Sequence, residues 1–181
     1  MVKQKRVILG VTGSIAAYKS AEIIRGLIEK GLRVSVIMTK EAEHFMTPLT
    51  LASLSGEKVY GRMFSKKNDA EGIPHIALAQ EADVFLIAPA TANIIGKIAN
   101  GIADNLLTCI ALATKAPILI APAMNTQMYQ NKIVQENCRK LKKYGMQFID
   151  PVRGKLACGT TGTGHIADEA TIVKTVLRTI K

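Results

Sequence analysis

The feature that most constrains this chain is a strand, a glycine turn and a helix in immediate succession near its start. Arg6 to Val11 is a short apolar run that leads through Gly10, Thr12, Gly13 and Ser14 into Ile15 to Lys30. Apolar residues recur there at helical spacing and stop at Gly31. Arg33 to Thr39 is a second, β-branched run. Two strands joined by a helix form a βαβ unit, which requires parallel strands and a right-handed crossover. Further strands are predicted over Val84 to Ala88, Pro117 to Ala121 and Met146 to Ile149. Helices are predicted over Ile76 to Ala82, Thr91 to Asn100, Asp104 to Thr114, Asn131 to Tyr144 and Asp168 to Ile180. Such alternation specifies an α/β fold with a doubly wound, Rossmann-like or flavodoxin-like parallel sheet. With 181 residues, 48% of them hydrophobic, the chain fills one core and is too short for two, so residues 1–181 are expected to form a single domain. Phe64 to Pro74 and Asp150 to Gly164 break the alternation and read as loops, long enough that a functional role is more frequent than an idle one.

The first turn, Gly10-Val-Thr-Gly-Ser14, puts small residues and a hydroxyl where a strand enters a helix N-terminus. Free backbone N–H groups and the helix dipole there can hold a phosphate. The third glycine of the dinucleotide fingerprint is absent, and Thr39 ends the second run where an NAD enzyme would offer an acid to the ribose. No Lys-Ser or Lys-Thr follows as in a Walker loop. A mononucleotide fits better, with Ser14 and Thr39 offering hydroxyls, against the simpler reading that these residues only cap a helix. A second cluster, Ala88-Pro-Ala-Thr-Ala-Asn93, lies at the carboxyl end of the next long strand, where ligands of open α/β sheets gather; small residues there leave room for a flat ring. Thr91 equally suits a helix cap.

The net charge of +10 favours anionic partners without choosing among them. The basic stretch Lys132 to Lys143 has almost no interleaved aromatics, so a solvated face is expected and nucleic acid is not. Cys109, Cys138 and Cys158 are odd in number and widely spaced, which indicates free thiols and no metal site. Cys109, beside Leu107 and Ile110, is expected in the core, and Cys138 on a charged helix has no evident partner. His44 and His165 are expected at the surface. Apolar runs fall short of the roughly 20 residues of a membrane span, and no signal peptide is recognisable, so a soluble cytoplasmic protein with no membrane partner is expected.

Six segments in register resemble the homo-oligomeric flavin-containing cysteine decarboxylases: Gly13-Ser-Ile-Ala-Ala-Tyr-Lys19, His75-Ile, Ala88-Pro-Ala-Thr-Ala-Asn93, Asn100-Gly-Ile-Ala-Asp-Asn-Leu-Leu107, Ala121-Pro-Ala-Met-Asn125 and Leu156-Ala-Cys-Gly159. Within the family the likeness is to the branch whose substrate is a phosphopantothenoyl-conjugated cysteine, a phosphorylated small-molecule thiol. The resemblance implies FMN, its phosphate at Gly13, Ser14 and Ile15 and its ring near Thr39, Ala88, Pro89, Ala90, Thr91, Asn93 and Ala123. It implies His75 as catalytic base, Asn125 as the ligand of the substrate carboxylate and Cys158 as the acid, with Met124 and Ala157 also against substrate. It further implies a homotrimer or a trimer-based dodecamer with Asn100 to Leu107 at the trimer contact, and is compatible with a fused ligase domain beyond Lys181. The flavin prenyltransferases share the fold and the Asn100 to Leu107 segment, and Pro122 to Asn125 separates this chain from them. The family's flap continues with an acidic residue and then arginine or methionine, whereas here Gly159 is followed by Thr160-Thr-Gly-Thr-Gly-His165.

These residue types suit the chemistry. Loss of CO2 from a cysteine carboxylate leaves a carbanion unless an electron sink is made, and oxidation of the thiol to a thioaldehyde makes one beside the carboxylate. His75 can act as a base near neutral pH, Cys158 can return a proton to the enethiolate, and a neutral Asn125 can orient the carboxylate without over-stabilising it. Simpler roles compete: a capping or surface histidine at 75 and a helix N-cap at 125. Other readings of the whole chain are a peptidyl-cysteine decarboxylase and a non-catalytic FMN-binding regulatory protein.

Overall fold

The computed structural model of the chain describes residues 4–61, 63, 74–155, 159 and 161–180. Strand β1 (Arg6–Val11) leads through a 3-10 turn (Ile15–Lys19) into α1 (Ser20–Glu29) and β2 (Arg33–Met38). A second 3-10 turn (Ala42–His44), α2 (Pro48–Ser55) and the short β3 (Val59–Tyr60) follow, then α3 (Pro74–Glu81), β4 (Val84–Ala90), α4 (Ala92–Ala99) and α5 (Leu106–Ala113). The chain continues with β5 (Ile118–Pro122), α6 (Thr126–Gln130), α7 (Lys132–Lys143) and β6 (Gln147–Phe148). It ends in β7 (Val152–Lys155), β8 (Thr161–His165) and α8 (Glu169–Thr179).

The first six strands form one parallel sheet in the order β3-β2-β1-β4-β5-β6. This is the doubly wound order expected, with its reversal between β1 and β4. Along β1 and β4 successive side chains alternate between two apolar layers, as a strand period of two requires. Val7, Leu9, Val84 and Leu86 face the core shared with α1, α2 and α8, while Ile8, Phe85 and Ile87 face the core of α3, α4, α5 and α7. Both faces are covered, so the strands are continuous apolar runs. At Gly10 a Cβ would stand 2.8 Å from Leu107 Cδ1, so glycine there lets α5 lie close against β1.

Several elements depart from the sequence reading. The helix expected over Ile15 to Lys30 starts as a 3-10 turn, and Ser20 Oγ donates to the Ala17 carbonyl at 2.6 Å where the α-helical part begins. Helix α2 and β3 were not anticipated, because Pro48–Ser55 is apolar without helical period. Its signals are at its ends: Thr47 Oγ1 accepts from Thr50 N–H at 3.2 Å, Pro48 occupies the first turn, and Gly56 closes the helix at φ 67°. Asp150 to Gly164, expected as a loop, contains the antiparallel hairpin β7–β8; its glycine and threonine content carries no apolar alternation. Residues 64–73 of the other expected loop lie outside the described residues, and Pro74 opens α3.

Of the two described cysteines, Cys109 departs from the core position expected of it. Cys138 is buried, because Val134, Cys138 and Leu141 form the inward stripe of α7, whereas Cys109 is only half-buried, its Sγ 3.5 Å from the Ala103 carbonyl. His44 is exposed as expected, but His165 is half-buried on β8 with Nδ1 2.9 Å from the Ile166 carbonyl. Arg139, Lys140, Lys142 and Lys143 are solvated. Among the described residues no helix is long and apolar enough to cross a membrane, and no cluster of side chains could hold a metal ion.

Polar groups at the amino-terminal edge of the sheet satisfy one another. The buried Arg6 guanidinium donates to Ser35 Oγ at 2.7 and 2.9 Å, meets Glu57 at 3.4 Å and pairs with Glu81 at the end of α3. Glu57 also receives Arg33 at 2.5 Å and Ser35 at 3.1 Å, while Asp83 accepts from Arg6 N–H at 2.8 Å and pairs with Lys5 at 3.0 Å.

Candidate functional site

At the carboxyl edge, where the strand order reverses, the turns after β1 and β4 are pinned together by one buried hydroxyl. Thr12 Oγ1 donates to the Pro89 carbonyl at 2.7 Å and accepts from Thr91 N–H at 3.1 Å. Thr91 Oγ1 in turn accepts from Ile94 N–H at 3.3 Å and caps α4, so the capping expectation holds. A cleft of about 320 Å³ opens beside this junction. The first turn contributes Gly13 and Ser14, the end of β2 contributes Thr39, the start of α4 contributes Thr91 and Asn93, and the segment after β5 contributes Ala123 and Met124.

The first turn is built as the sequence indicates. Ser14 Oγ accepts from Ala16 N–H at 3.3 Å, while the N–H groups of Gly13 and Ile15 have no hydrogen-bond partner among the described residues. A Cβ on Gly13 would collide with Glu41 Cβ, so only glycine allows the turn to lie against the segment that follows β2. Thr39 Oγ1 accepts from Ala42 N–H at 3.3 Å. Ala88, Pro89 and Ala90 are buried in β4, behind the cleft wall, and Ile15 is exposed.

Asn125 follows Met124 and caps α6, its Oδ1 accepting from Gln127 N–H at 2.8 Å. His75 stands in the first turn of α3, half-buried, with its buried Nδ1 lacking any hydrogen-bond partner. It does not line the cleft of its own chain. Ala157 and Cys158 lie outside the described residues, as do Leu156 and Thr160.

Four wall residues escaped the sequence reading as cleft residues: Glu41, Ile94, Asn105 and Met128. Asn105 carried a usable signal, since it forms a capping box with Thr108 at the start of α5. Its Oδ1 accepts from Thr108 N–H at 3.0 Å and its Nδ2 donates to Asp104 at 3.0 Å, which orients the amide. Lys97, 2.5 Å from Asp104, holds the Asp104 carboxyl below the usual carboxylate range. Burial pushes the Cys109 and Cys138 thiols up, away from the thiolate form.

The Flavoprotein family model matches residues 1–181. This chain belongs to the flavoprotein family. Its cofactor class is accordingly a flavin. A relative in Streptococcus mutans serotype c (strain ATCC 700610 / UA159), named probable phosphopantothenoylcysteine decarboxylase, is 47% identical over 174 residues, covering 95% of this chain and 97% of the relative. The bifunctional coenzyme A biosynthesis protein CoaBC of Bacillus subtilis (strain 168) is 45% identical across 96% of this chain, which spans only 43% of that protein's length. Among solved structures, a PPC decarboxylase variant complexed with pantothenoylaminoethenethiol is 34% identical with a TM-score of 0.85, covering 97% of this chain and 98% of the other. The FMN-binding protein AtHal3 is 35% identical with a TM-score of 0.81, covering 97% of this chain and 96% of the other. The family and the doubly wound fold inferred from the six sequence segments are thereby borne out.

Proposed function

We propose that the chain is an FMN-dependent decarboxylase that converts 4'-phosphopantothenoylcysteine to 4'-phosphopantetheine in coenzyme A biosynthesis, a carbon–carbon lyase of the cytoplasm. The observation that carries this reading is the 47% identity to a relative of that name along nearly the whole of both chains. The cleft suits the cofactor. Two free backbone N–H groups and a serine hydroxyl meet at the first turn, where a phosphate needs donors, and small side chains at Ala92 and Ala123 leave space for a planar ring. When bound, FMN supplies a two-electron acceptor for the substrate thiol and returns the electrons after CO2 has left.

The chain's own residues do the rest. Gly13 and Ile15 N–H and Ser14 hold the phosphate, with Thr39, Thr91, Asn93 and Ala123 around the remainder of the cofactor. His75 removes a proton from the substrate. Asn125 orients the carboxylate with a neutral donor, so that charge leaving as CO2 is not held back. Met124 and Ala157 pack against the substrate, and Cys158 returns a proton to the enethiolate. The proposed assembly is a homotrimer or a trimer-based dodecamer, in which a neighbouring copy would bring His75 to the cleft that it does not line in its own chain. The substrate is a small phosphorylated thiol, and the 43% span of the bifunctional relative accommodates a fused ligase domain in the full protein.

The test is a visible spectrum of the purified protein with its extracted cofactor identified, followed by CO2 release from phosphopantothenoylcysteine and from a cysteine-terminated peptide. A yellow protein that releases FMN and decarboxylates the phosphorylated thiol is expected. A colourless protein that takes up no FMN, or one acting on the peptide alone, overturns the assignment. Cys158→Ala is expected to lose CO2 but accumulate the unsaturated enethiol, and ordinary phosphopantetheine from that variant removes the acid role.

A further inference from the structure

Among the described residues, the hairpin β7–β8 packs on α6 and the segment before it in a way that its sequence makes unusual. Its pairing shifts register between Val152 and Arg153, which leaves Gly164 as an extra residue in β8, a bulge that bends the strand. At that bend Met124 N–H donates to the Gly164 carbonyl at 3.0 Å, and a Cβ on Gly164 would collide with the Met124 carbonyl oxygen. Two residues earlier, a Cβ on Gly162 would collide with Thr126 Oγ1 and stand 3.0 Å from Thr126 Cγ2 and 3.1 Å from its Cβ. On its other side the same segment is tied to β4, Ala123 N–H donating to the Ala90 carbonyl at 3.0 Å. Residues 123–126 are therefore held between the sheet and β8, and Asn125 lies in the middle of the clamped span.

The contact is close enough to leave Thr126 Oγ1 buried with no hydrogen-bond partner. A buried hydroxyl without a partner costs stability, so tight packing here is not explained by hydrogen bonding of that side chain. It is explained if the position of the segment matters.

We propose that Gly162 and Gly164 are positioning residues for Asn125, a proposal that rests on the reading of Asn125 as the group that orients the substrate carboxylate. Their missing side chains let β8 seat directly on Met124 and Thr126, and the seat fixes the backbone from which Asn125 projects. A methyl group at either glycine pushes that backbone away, and a displacement of about 1 Å in an orienting group lowers turnover by roughly a hundredfold. Most of the cleft wall, at Gly13, Ser14, Thr39, Thr91 and Asn93, lies on other segments, with Ala123 and Met124 the wall residues that the seat reaches, so the flavin is expected to be retained.

The experiment compares the flavin-loaded protein with its Gly162→Ala, Gly164→Ala, Thr126→Gly and Thr126→Gly/Gly162→Ala variants in flavin content, thermal midpoint, kcat and KM. Both alanine variants are expected to keep their flavin and lose about tenfold or more in kcat/KM. The double variant, with the colliding side chain gone, is expected to recover most of that loss relative to Thr126→Gly alone. A Gly162→Ala protein with a lowered thermal midpoint but unchanged kcat and KM overturns the proposal, and so does a double variant no better than Gly162→Ala. If Gly162→Ala does not fold, recovery of folding and turnover in the double variant supports the seat, and its absence overturns it. Asn125→Ala is measured in parallel. Full turnover in that variant removes the reading of Asn125, while the coupling of positions 162 and 126 remains measurable in thermal midpoints, so the two failures are distinguishable.

Discussion

At the amino-terminal edge of the central sheet Arg6, Ser35, Glu57 and Glu81 satisfy one another, whereas at the carboxyl edge the N–H groups of Gly13 and Ile15 have no partner among the described residues. The same strands begin in a closed ion network and end in an open cleft. Helix α3 runs between the two edges: Glu81 at its end meets Arg6, and His75 stands at its start, outside the cleft of its own chain. The contrast teaches where function sits in such a fold. Polar groups that complete each other stabilise, and those left incomplete at the strand ends are available to a ligand.

The sharpest way to break this contrast is at the two ends of α3. Replacing His75 with Asn is expected to lower CO2 release by about 10²- to 10⁴-fold while the flavin spectrum persists, and normal turnover in that variant removes the base from the open end. Arg6→Met strips the closed end of its centre, leaving Glu81 without a guanidinium and Glu57 with Arg33 and Ser35 alone. A loss of about 1–3 kcal/mol in urea unfolding is expected, mainly from the lost hydrogen bonds of the buried guanidinium, with specific activity of the folded protein little changed. Thr12→Val removes the hydroxyl that joins the two turns and leaves the Thr91 N–H and the Pro89 carbonyl unpaired. It is expected to cost about 1–3 kcal/mol and, unlike Arg6→Met, to weaken flavin retention. Ser14→Ala takes away a cap and the proposed phosphate donor, with an expected stability loss of about 0.5–2 kcal/mol and a measurable rise in the flavin dissociation constant.

The smallest effect expected is a pH dependence confined to the closed end. Burial acts to raise the Glu57 carboxyl, but Arg33, Ser35 and Arg6 together outweigh it and hold Glu57 below the usual carboxylate range. A carboxyl with a lowered folded pKa contributes stability that is complete above the unfolded value, roughly 4.3 for glutamate, and that is lost as pH falls through the folded value. Thermal midpoints taken from pH 7 down to pH 3 should fall more in the unaltered chain than in Glu57→Gln. Equal slopes would show that the network adds no acid sensitivity.

The central strands β1, β2, β4 and β5 were legible in the sequence because they are buried on both faces and carry unbroken β-branched and apolar runs. Helix α2 was not, because its signals are the Thr47 cap and the Gly56 stop rather than an apolar period. Cys109 was misjudged for a related reason. Helix α5 is apolar all round, so its neighbours in sequence do not say which side faces in, whereas α7 has a single apolar stripe and Cys138 lies on it. The cleft was legible where backbone and caps make it, at Gly13, Ser14, Thr39 and Thr91. Asn105 and Glu41 reach the cleft only because α5 and the segment after β2 converge there, a matter of packing across long sequence separations.

Gly10 sets the distance at which that convergence happens. With no methyl between β1 and Leu107, α5 settles onto the sheet, carrying Asn105 into the cleft wall, and α3, packed on α5, settles with it. A single carbon at position 10 thus acts as a spacer gauge for a whole layer. Thickening it would move the cofactor's wall and the histidine helix together, so the two could not drift independently as the sequence changes.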